Sequence, residues 1–168
     1  MRPLPALAVA LTAVLALAAC DADDFAQNDD VEAVPATVRT GLAVLYAGAD
    51  AAPGVAAEGA CFATGLTDRL SLDELVDAGL VLDDGRVAAA TPMLEIDVAD
   101  AWVDAMLSCT PYADVAARAA GADVTTYTLC LDDAIPPDEV RAALVATLSG
   151  GFDSPEVDAL RAAEATCA

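Results

Sequence analysis

The residues with the most distinctive chemistry in this chain are its five cysteines, Cys20, Cys61, Cys109, Cys130 and Cys167. A thiol can carry a lipid, pair in a disulfide, ligate a metal or act as a nucleophile, and its spacing and surroundings favour one of these uses. No Cys-x-x-Cys pair occurs and the 168-residue chain has no histidine, so a zinc site is disfavoured and no metal ligand is predicted. An odd number of cysteines in an exported protein implies that one of them has a separate role.

The first cysteine follows a segment with the features of a secretory signal. Arg2 supplies a positive charge, Ala6 to Ala19 contain no charged residue, and acidic residues begin at Asp21. The apolar run is shorter than the about 20 residues that a helix needs to span a bilayer, so no retained transmembrane helix is predicted. Residues 1–19 are therefore predicted to be a signal peptide.

The tetrapeptide Leu17-Ala18-Ala19-Cys20 resembles the lipobox of bacterial lipoproteins, in which an aliphatic residue and two small residues precede the modified cysteine. The resemblance implies that the Cys20 thiol receives a diacylglyceryl group and that cleavage makes Cys20 the first mature residue. The protein would then be lipid-anchored at the outer face of the cytoplasmic membrane. The alternative is an ordinary secretory signal that is cut among Ala16 to Ala19 and leaves Cys20 as a free thiol.

Strong acidity limits the partners of the chain. The formal net charge is −21 at pH 7, and all seven basic residues are arginine. This field would repel nucleic acid and anionic lipid headgroups, so no nucleic-acid partner is predicted and membrane contact is expected through the lipid anchor alone. Divalent-cation binding stays open as an alternative function, although the aspartates lack the spacing of a calcium loop.

The sequence lacks the usual signatures of an enzyme. Histidine, the commonest general base, is missing, and neither a Gly-x-Ser-x-Gly elbow nor a phosphate-binding glycine loop occurs. The cysteines after Cys20 are far apart in acidic surroundings, unlike the reactive dithiols of redox enzymes. The chain is therefore predicted to be non-catalytic and to need no cofactor.

Two segments follow the signal peptide. Residues 20–33 are acidic and contain one aromatic residue, Phe25, which indicates a solvated, flexible tether. Residues 34–168 carry apolar residues at helical spacing and are predicted to form a helical domain with the aromatic side chains in its core. The positions that show this period are Val38, Leu42 and Leu45, then Val98, Trp102 and Met106, then Val140, Leu144 and Leu148.

Capping residues mark where several helices begin. Ser71 with Glu74 forms a capping box, and Gly79 can end the same helix in the left-handed conformation. Asp123 as an N-cap favours a short helix over the strand propensity of the threonines that follow it. Further helix starts, with a hydroxyl as N-cap and a proline at the first helical position, are predicted at Thr91-Pro92, Thr110-Pro111 and Ser154-Pro155.

An internal repeat relates the four remaining cysteines, unless an alanine- and aspartate-rich chain matches itself by chance. The matching segments are Pro35 to Leu42 with Pro137 to Leu144, Asp73-Glu74-Leu75 with Asp138-Glu139-Val140, and Asp100 to Cys109 with Asp158 to Cys167. Each unit would begin with a cysteine before one helix and end with a cysteine that closes another. This repeat favours bridges from Cys61 to Cys109 and from Cys130 to Cys167, but four cysteines permit three pairings and the other two stay open.

Residues 61–167 are also similar to small secreted or lipid-anchored actinobacterial proteins that are built from cysteine-bounded helical units. The similarity is carried by Cys61-Phe62, Asp73-Glu74-Leu75, Gly79 and Cys109. It implies a helical fold with bridges inside each unit, and it implies no catalytic residue. The predicted fold is thus an all-α bundle of two or three repeated helical-hairpin units stapled by two disulfides.

The function expected from these observations is that of a lipid-anchored, extracytoplasmic envelope protein. It would act as a non-catalytic binding or structural module that presents a helical surface to a protein or to a small ligand. Disulfides are expected in this compartment because they persist outside the reducing cytosol.

Overall fold

The computed structural model describes residues 33–168, and this part of the chain is all-α, as predicted. Its eight helices are α1 (Ala36–Ala47), α2 (Pro53–Thr67), α3 (Leu72–Asp77), α4 (Ile96–Cys109), α5 (Tyr112–Ala120), α6 (Val124–Ala134), α7 (Pro137–Leu148) and α8 (Pro155–Cys167). Val81 and Val87 form an isolated antiparallel bridge in the connection from α3 to α4. None of these helices is both long and apolar enough to cross a membrane. The predicted signal peptide, the predicted lipid-attachment residue Cys20 and nearly all of the predicted tether lie outside the described residues.

The helices form two halves with separate cores. The N-terminal half consists of α1 to α4, and its core contains Phe62, Trp102 and several leucines. The C-terminal half consists of α5 to α8, and its core contains Tyr127, Leu131 and five alanines. The two halves meet where α4 packs against α7.

One disulfide staples each half at equivalent places. Cys61 of α2 is bonded to Cys109 at the end of α4, with a Cα–Cα distance of 5.8 Å. Cys130 of α6 is bonded to Cys167 at the end of α8, with a Cα–Cα distance of 5.7 Å. Both bridges therefore join the second helix of a half to its fourth helix, which is the pairing that the repeat favours.

The prediction that each repeat unit begins with a cysteine before its first helix is wrong. Cys61 and Cys130 lie inside α2 and α6 rather than before a helix, and each half opens with an additional helix, α1 or α5. The sequence match between Pro35 to Leu42 and Pro137 to Leu144 is misleading, because it aligns the first helix of one half with the third helix of the other. A proline followed by a good helix former can start any helix, whereas a bridged cysteine is fixed by its partner.

Three of the predicted caps are confirmed. Ser71 and Glu74 form the reciprocal capping box of α3, and Gly79 follows this helix with a φ of 71°. Asp123 accepts a hydrogen bond from the Thr126 amide at the start of α6, and Ser154 accepts one from the Val157 amide at the start of α8.

The other two helix starts that were predicted from a hydroxyl residue followed by a proline are wrong. No helix begins at Thr91-Pro92, because the chain has no regular secondary structure from there until α4 starts at Ile96. Thr110 ends α4, and Pro111 itself occupies the N-cap position of α5 with a ψ of 137°. The proline ring fixes φ but leaves ψ free, so a proline at a helix start can stand just outside the first turn as well as inside it.

Burial agrees with the helical period of the sequence. Val38, Leu42, Trp102 and Val140 are buried, and the remaining apolar positions of the three periodic stretches are half-buried. The expectation that the aromatic side chains lie in the core is wrong for Phe152, which is 50% exposed in the turn between α7 and α8. Helical spacing places residues on a face only within a helix, and Phe152 lies outside one.

Ion pairs cross from one half to the other. Arg118 of α5 donates to both carboxylate oxygens of Glu58 on α2, at 2.9 and 3.0 Å. Arg141 of α7 contacts Asp100 and Asp104 of α4, each at 2.9 Å. The hydrogen bond from Arg141 holds the pKa of Asp100 below its ordinary value. In both pairs the arginine belongs to the C-terminal half and the acid to the N-terminal half.

Candidate functional site

The four described cysteines are structural. Each is in a disulfide within a helical half, and the two bridges hold helices together rather than forming one reactive dithiol. Cys20, the predicted lipid carrier, lies outside the described residues. Among residues 33–168, no three carboxylate or thiol groups are close enough together to hold a metal ion.

The C-terminal half contains a cavity of about 330 Å³ that reaches the surface. It is lined by Leu107, Pro111, Tyr112, Ala113, Thr128, Leu131, Asp132, Ile135, Pro137 and Val140. Seven of these ten side chains are aliphatic or proline, so most of the wall is apolar. A pocket of this size is at the small end of the range for ligand-binding sites in proteins, about 300–1,000 Å³.

Helix α6 supplies one wall of this cavity. Thr128, Leu131, Asp132 and Ile135 are spaced so that they share one face of the helix. Leu131 and Ile135 are buried within the cavity wall, and Asp132 is exposed and therefore lies at its rim. The Asp123 cap fixes the start of α6 and thereby the register of this face.

The opposite walls come from three other segments. Tyr112 and Ala113 belong to the first turn of α5, and Val140 belongs to the first turns of α7. Leu107 of α4 is the contribution of the N-terminal half. The cavity thus lies beside the connection that leads from one half of the protein into the other.

Thr128, one of the lining residues, has an unusual hydroxyl group. It is shielded from solvent and has no hydrogen-bond partner in the described part of the chain. Thr40, Thr64 and Thr147 show the ordinary alternative, since each donates to the carbonyl four residues earlier in its own helix. A second orphan hydroxyl belongs to Thr110, which is 4% exposed and precedes the cavity-lining Pro111. Buried hydroxyls without partners are uncommon because they forfeit a hydrogen bond to water.

Tyr112 lines the cavity and also contacts α8. Its phenol donates a hydrogen bond to Glu164, which ties the start of α5 to the last helix. Burial raises the pKa of Tyr112 well above its ordinary value, and the hydrogen bond and charge of Glu164 raise it further. The phenol is therefore neutral near pH 7 and holds a wall in place rather than acting as a base.

A wider groove of about 710 Å³ runs along α1, where residues 85–89 of the bridged connection form its other side. Gly41 allows this approach, because a Cβ atom there would lie 2.6 Å from the Val87 side chain. Although its volume is larger, this groove has a more polar lining, which includes Thr37, Thr40 and the exposed Arg86. The cavity in the C-terminal half is the better candidate for a binding site.

Sequence patterns did not reveal this cavity. The sequence distinguishes Thr128 only by the strand propensity of the threonines after Asp123, predicts Tyr112 in the core with the other aromatic residues, and assigns no role to Asp132. The threonine and aspartate at helical spacing on α6 would be the sole local signal, and a single such pair is common on exposed helices.

No protein-family model matches the chain, and comparisons with curated proteins and with solved structures yield no significant match.

Proposed function

We propose that this protein is a lipid-anchored, extracytoplasmic binding protein, without catalytic activity, that holds a small and mainly apolar molecule in the cavity of its C-terminal half. The observation that carries the proposal is the cavity of about 330 Å³, most of whose wall is apolar. An apolar pocket with a few polar groups that orient the ligand is the common design of small-molecule sites.

The proposed location is supported by the cysteines. Two disulfides fit an oxidising compartment outside the cytosol, and their formation leaves Cys20 as the odd cysteine at the lipobox. Two acyl chains on one cysteine would give stable membrane attachment, which a single chain does not.

The proposed absence of catalysis is supported by the chemistry of the cavity wall. Tyr112 is fixed as a neutral donor to Glu164, and the chain offers no histidine as a general base. Thr128 has no base within hydrogen-bonding distance that could activate its hydroxyl as a nucleophile. These groups lack the paired acid and base of a hydrolytic site.

The anchor is tested by replacing the lipobox cysteine. The Cys20→Ala protein should lose labelling by a radioactive fatty acid and should leave the membrane fraction, because the thioether can no longer form. Phe25→Ala is the matched control, since it changes the tether without removing the thiol, and it should keep the label. Retention of Cys20→Ala in washed membranes would show that the anchor has another origin.

The cavity is tested by titrating the purified protein, with both disulfides formed, with toluene and following backbone amide resonances. We expect saturable shifts at Thr128, Leu131 and Val140. Ala113→Leu should abolish them because Ala113 is 6% exposed and lines the cavity, so the larger side chain occupies the space of the ligand. Ala120→Leu, at an exposed position of the same helix, should leave them unchanged.

Two results would contradict the proposed binding function. One is the absence of saturable shifts at the lining residues in the wild-type protein. The other is unchanged toluene binding in Ala113→Leu with a native amide spectrum. A stoichiometric calcium site in a separate calorimetric titration with calcium would instead favour the alternative of a cation-binding lipoprotein.

A further inference from the structure

Tyr112 separates the cavity from a second space on the surface of the C-terminal half. This space, the α5–α8 groove, has a volume of about 470 Å³ and lies between two helices that both pack on α6. In the described part of the chain, Tyr112 is the one residue that lines both the cavity and the α5–α8 groove. Its side chain therefore belongs to a wall that the two spaces share.

Tyr112 is the large side chain at the end of a row of small ones. The residues of α5 that line the groove follow one another at the intervals of a single helix face, and they are Tyr112, Val115, Ala116, Ala119 and Ala120. Across the groove, residues at the same intervals form the opposite side, and they are Arg161, Glu164, Ala165 and Ala168. Because alanine fills little of the space between two helices, the groove runs along α5 until it reaches the ring of Tyr112 at the first residue of the helix.

One hydrogen bond holds the Tyr112 ring at this boundary. The phenol donates to the carboxylate of Glu164, which also lines the α5–α8 groove. A hydrogen bond to a charged acceptor is stronger than one between neutral groups. Glu164 is therefore a positioning residue, because it acts on the cavity by fixing the Tyr112 side chain.

We propose that Tyr112 is a specificity-determining residue that limits the length of the apolar molecule held in the cavity. This inference rests on the proposed binding function of the cavity and adds the size that the ligand must have. An apolar protein cavity of about 150 Å³ holds one benzene molecule, so the cavity here accommodates a molecule of about twice that size. The end of a longer molecule meets the Tyr112 ring and stays in water, where its methylene groups add nothing to the affinity.

The limit on length is tested with two probes that share one aromatic ring, 2-phenylethanol and 8-phenyl-1-octanol. Each is titrated into the protein with both disulfides formed, while backbone amide resonances are followed. In the wild type both probes should shift the amides of Leu131 and Val140 at the cavity. Neither probe should shift the amides of Ala119 and Ala165, which line the α5–α8 groove alone.

The Tyr112→Ala variant should join the cavity to the groove. The longer probe should then shift Ala119 and Ala165 with the same dissociation constant as Leu131, and it should bind at least about tenfold more tightly than to the wild type. Burial of a methylene group tightens binding about fourfold, so two further buried groups are sufficient for this gain. Affinity for 2-phenylethanol should not rise, because this probe ends within the cavity.

Three further variants separate the parts of the shared wall. Tyr112→Leu repeats the test with a side chain that keeps the half-buried position apolar but cannot bond to Glu164, and it replaces the alanine variant if that protein does not fold. Glu164→Ala keeps the ring but removes its acceptor, so the longer probe should again reach the groove. Val115→Ala widens the groove at a residue that does not line the cavity, and it should keep the wild-type pattern.

The other outcomes overturn the inference in distinguishable ways. Shifts at Ala119 and Ala165 in the wild type would show that Tyr112 does not separate the two spaces. Shifts confined to the cavity in both Tyr112 variants, with unchanged affinity for the longer probe, would show that the ring does not limit the ligand. A wild-type pattern in Glu164→Ala would remove the positioning role of Glu164. In each of these cases toluene still binds and the binding function stands, whereas failure of toluene to bind the wild type removes both proposals.

Discussion

The N-terminal and C-terminal halves place buried residues at the same distances from their second cysteine. Residues four, seven and ten positions before Cys109 are buried, and so are those before Cys167. These equivalent residues are Ala105 with Ala163, Trp102 with Leu160, and Ala99 with Val157. The bridged cysteines also have nearly equal Cα–Cα distances, 5.8 and 5.7 Å. The two halves thus share the pairing and packing of their second and fourth helices.

The side chains that fill the two halves differ in size. In the N-terminal half the ring of Phe62 stacks on Tyr46 at a centroid distance of 4.4 Å and packs against Trp102 at 4.6 Å. The positions equivalent to Phe62 and Trp102 in the C-terminal half hold Leu131 and Leu160. Alanines make up five of the 11 residues of the C-terminal core cluster, against three of the 14 residues of the N-terminal core cluster.

The cavity lies beside the core that has the smaller side chains, and α4, α5, α6 and α7 supply nearly all of its lining residues. Leu131 occupies the position equivalent to Phe62 and forms part of the cavity wall. A leucine fills less volume than an aromatic ring, so the two halves differ in filling at an equivalent position that borders the cavity.

The largest effect on the stability of the protein is expected from removing an aromatic side chain from the N-terminal core. Trp102→Ala should lower the free energy of unfolding by about 3–5 kcal/mol, and the equivalent Leu160→Ala by a smaller amount, about 2–3 kcal/mol. Urea denaturation followed by circular dichroism measures both values. Equal losses would contradict the idea that the N-terminal core is the more densely packed.

Removing either disulfide should have nearly the same effect. The bridges span sequence separations of 48 and 37 residues, so the chain-entropy model gives about 4 kcal/mol for each and a difference of only about 0.2 kcal/mol. The double variants Cys61→Ala with Cys109→Ala, and Cys130→Ala with Cys167→Ala, test this by denaturation. A much larger loss for one pair would mean that its bridge acts through native packing in addition to chain entropy.

Enlarging one valine in each half should give effects of opposite sign. Val38 is 3% exposed in the N-terminal core and lines neither the cavity nor the groove along α1. Val38→Leu should therefore overpack this core and lower the free energy of unfolding by about 1–3 kcal/mol. Val140 lines the cavity, so Val140→Leu should stabilise the protein by about 0.5–2 kcal/mol while weakening toluene binding. Thermal unfolding of the two variants would show the contrast, and destabilisation by both would weaken the case for usable space beside Val140.

The smallest effect concerns the alkaline stability of the C-terminal half. Because burial and Glu164 raise the pKa of Tyr112 in the folded protein, its stabilising contribution is complete below about pH 10, the ordinary pKa of tyrosine. It is lost as the pH rises above that value, since the unfolded chain then releases the proton first.

Tyr112→Phe should accordingly be less stable than the wild type near neutral pH and should lose less stability on going to alkaline pH. Tyr46→Phe serves as the control from the N-terminal half, because burial raises the pKa of Tyr46 without a hydrogen bond from this phenol to a carboxylate. Denaturation at several pH values compares the three proteins. Parallel curves for the wild type and Tyr112→Phe would show that the pair with Glu164 does not contribute to the pH dependence.

The sequence was sufficient to predict features that depend on neighbours along the chain. The helical class, the Ser71 capping box, the Asp123 and Ser154 caps and the burial of Trp102 follow from patterns within a few turns. The helix starts predicted at Thr91-Pro92 and Thr110-Pro111 were wrong because a proline fixes only its own φ angle. Tertiary packing then determines where the helix begins.

The disulfide pairing depended on both sequence and tertiary structure. The sequence repeat favoured one pairing, and the packing of α2 on α4 and of α6 on α8 selected it. The cavity depended entirely on tertiary structure. Leu107, Tyr112, Thr128 and Val140 come from four helices, and their types are those of ordinary core or surface residues. Helical period determines which face of each helix is apolar, but the volume left between facing helices depends on side chains from all of them together. For that reason the helices of this protein could be predicted from its sequence, whereas the position of the cavity is decided by the fold.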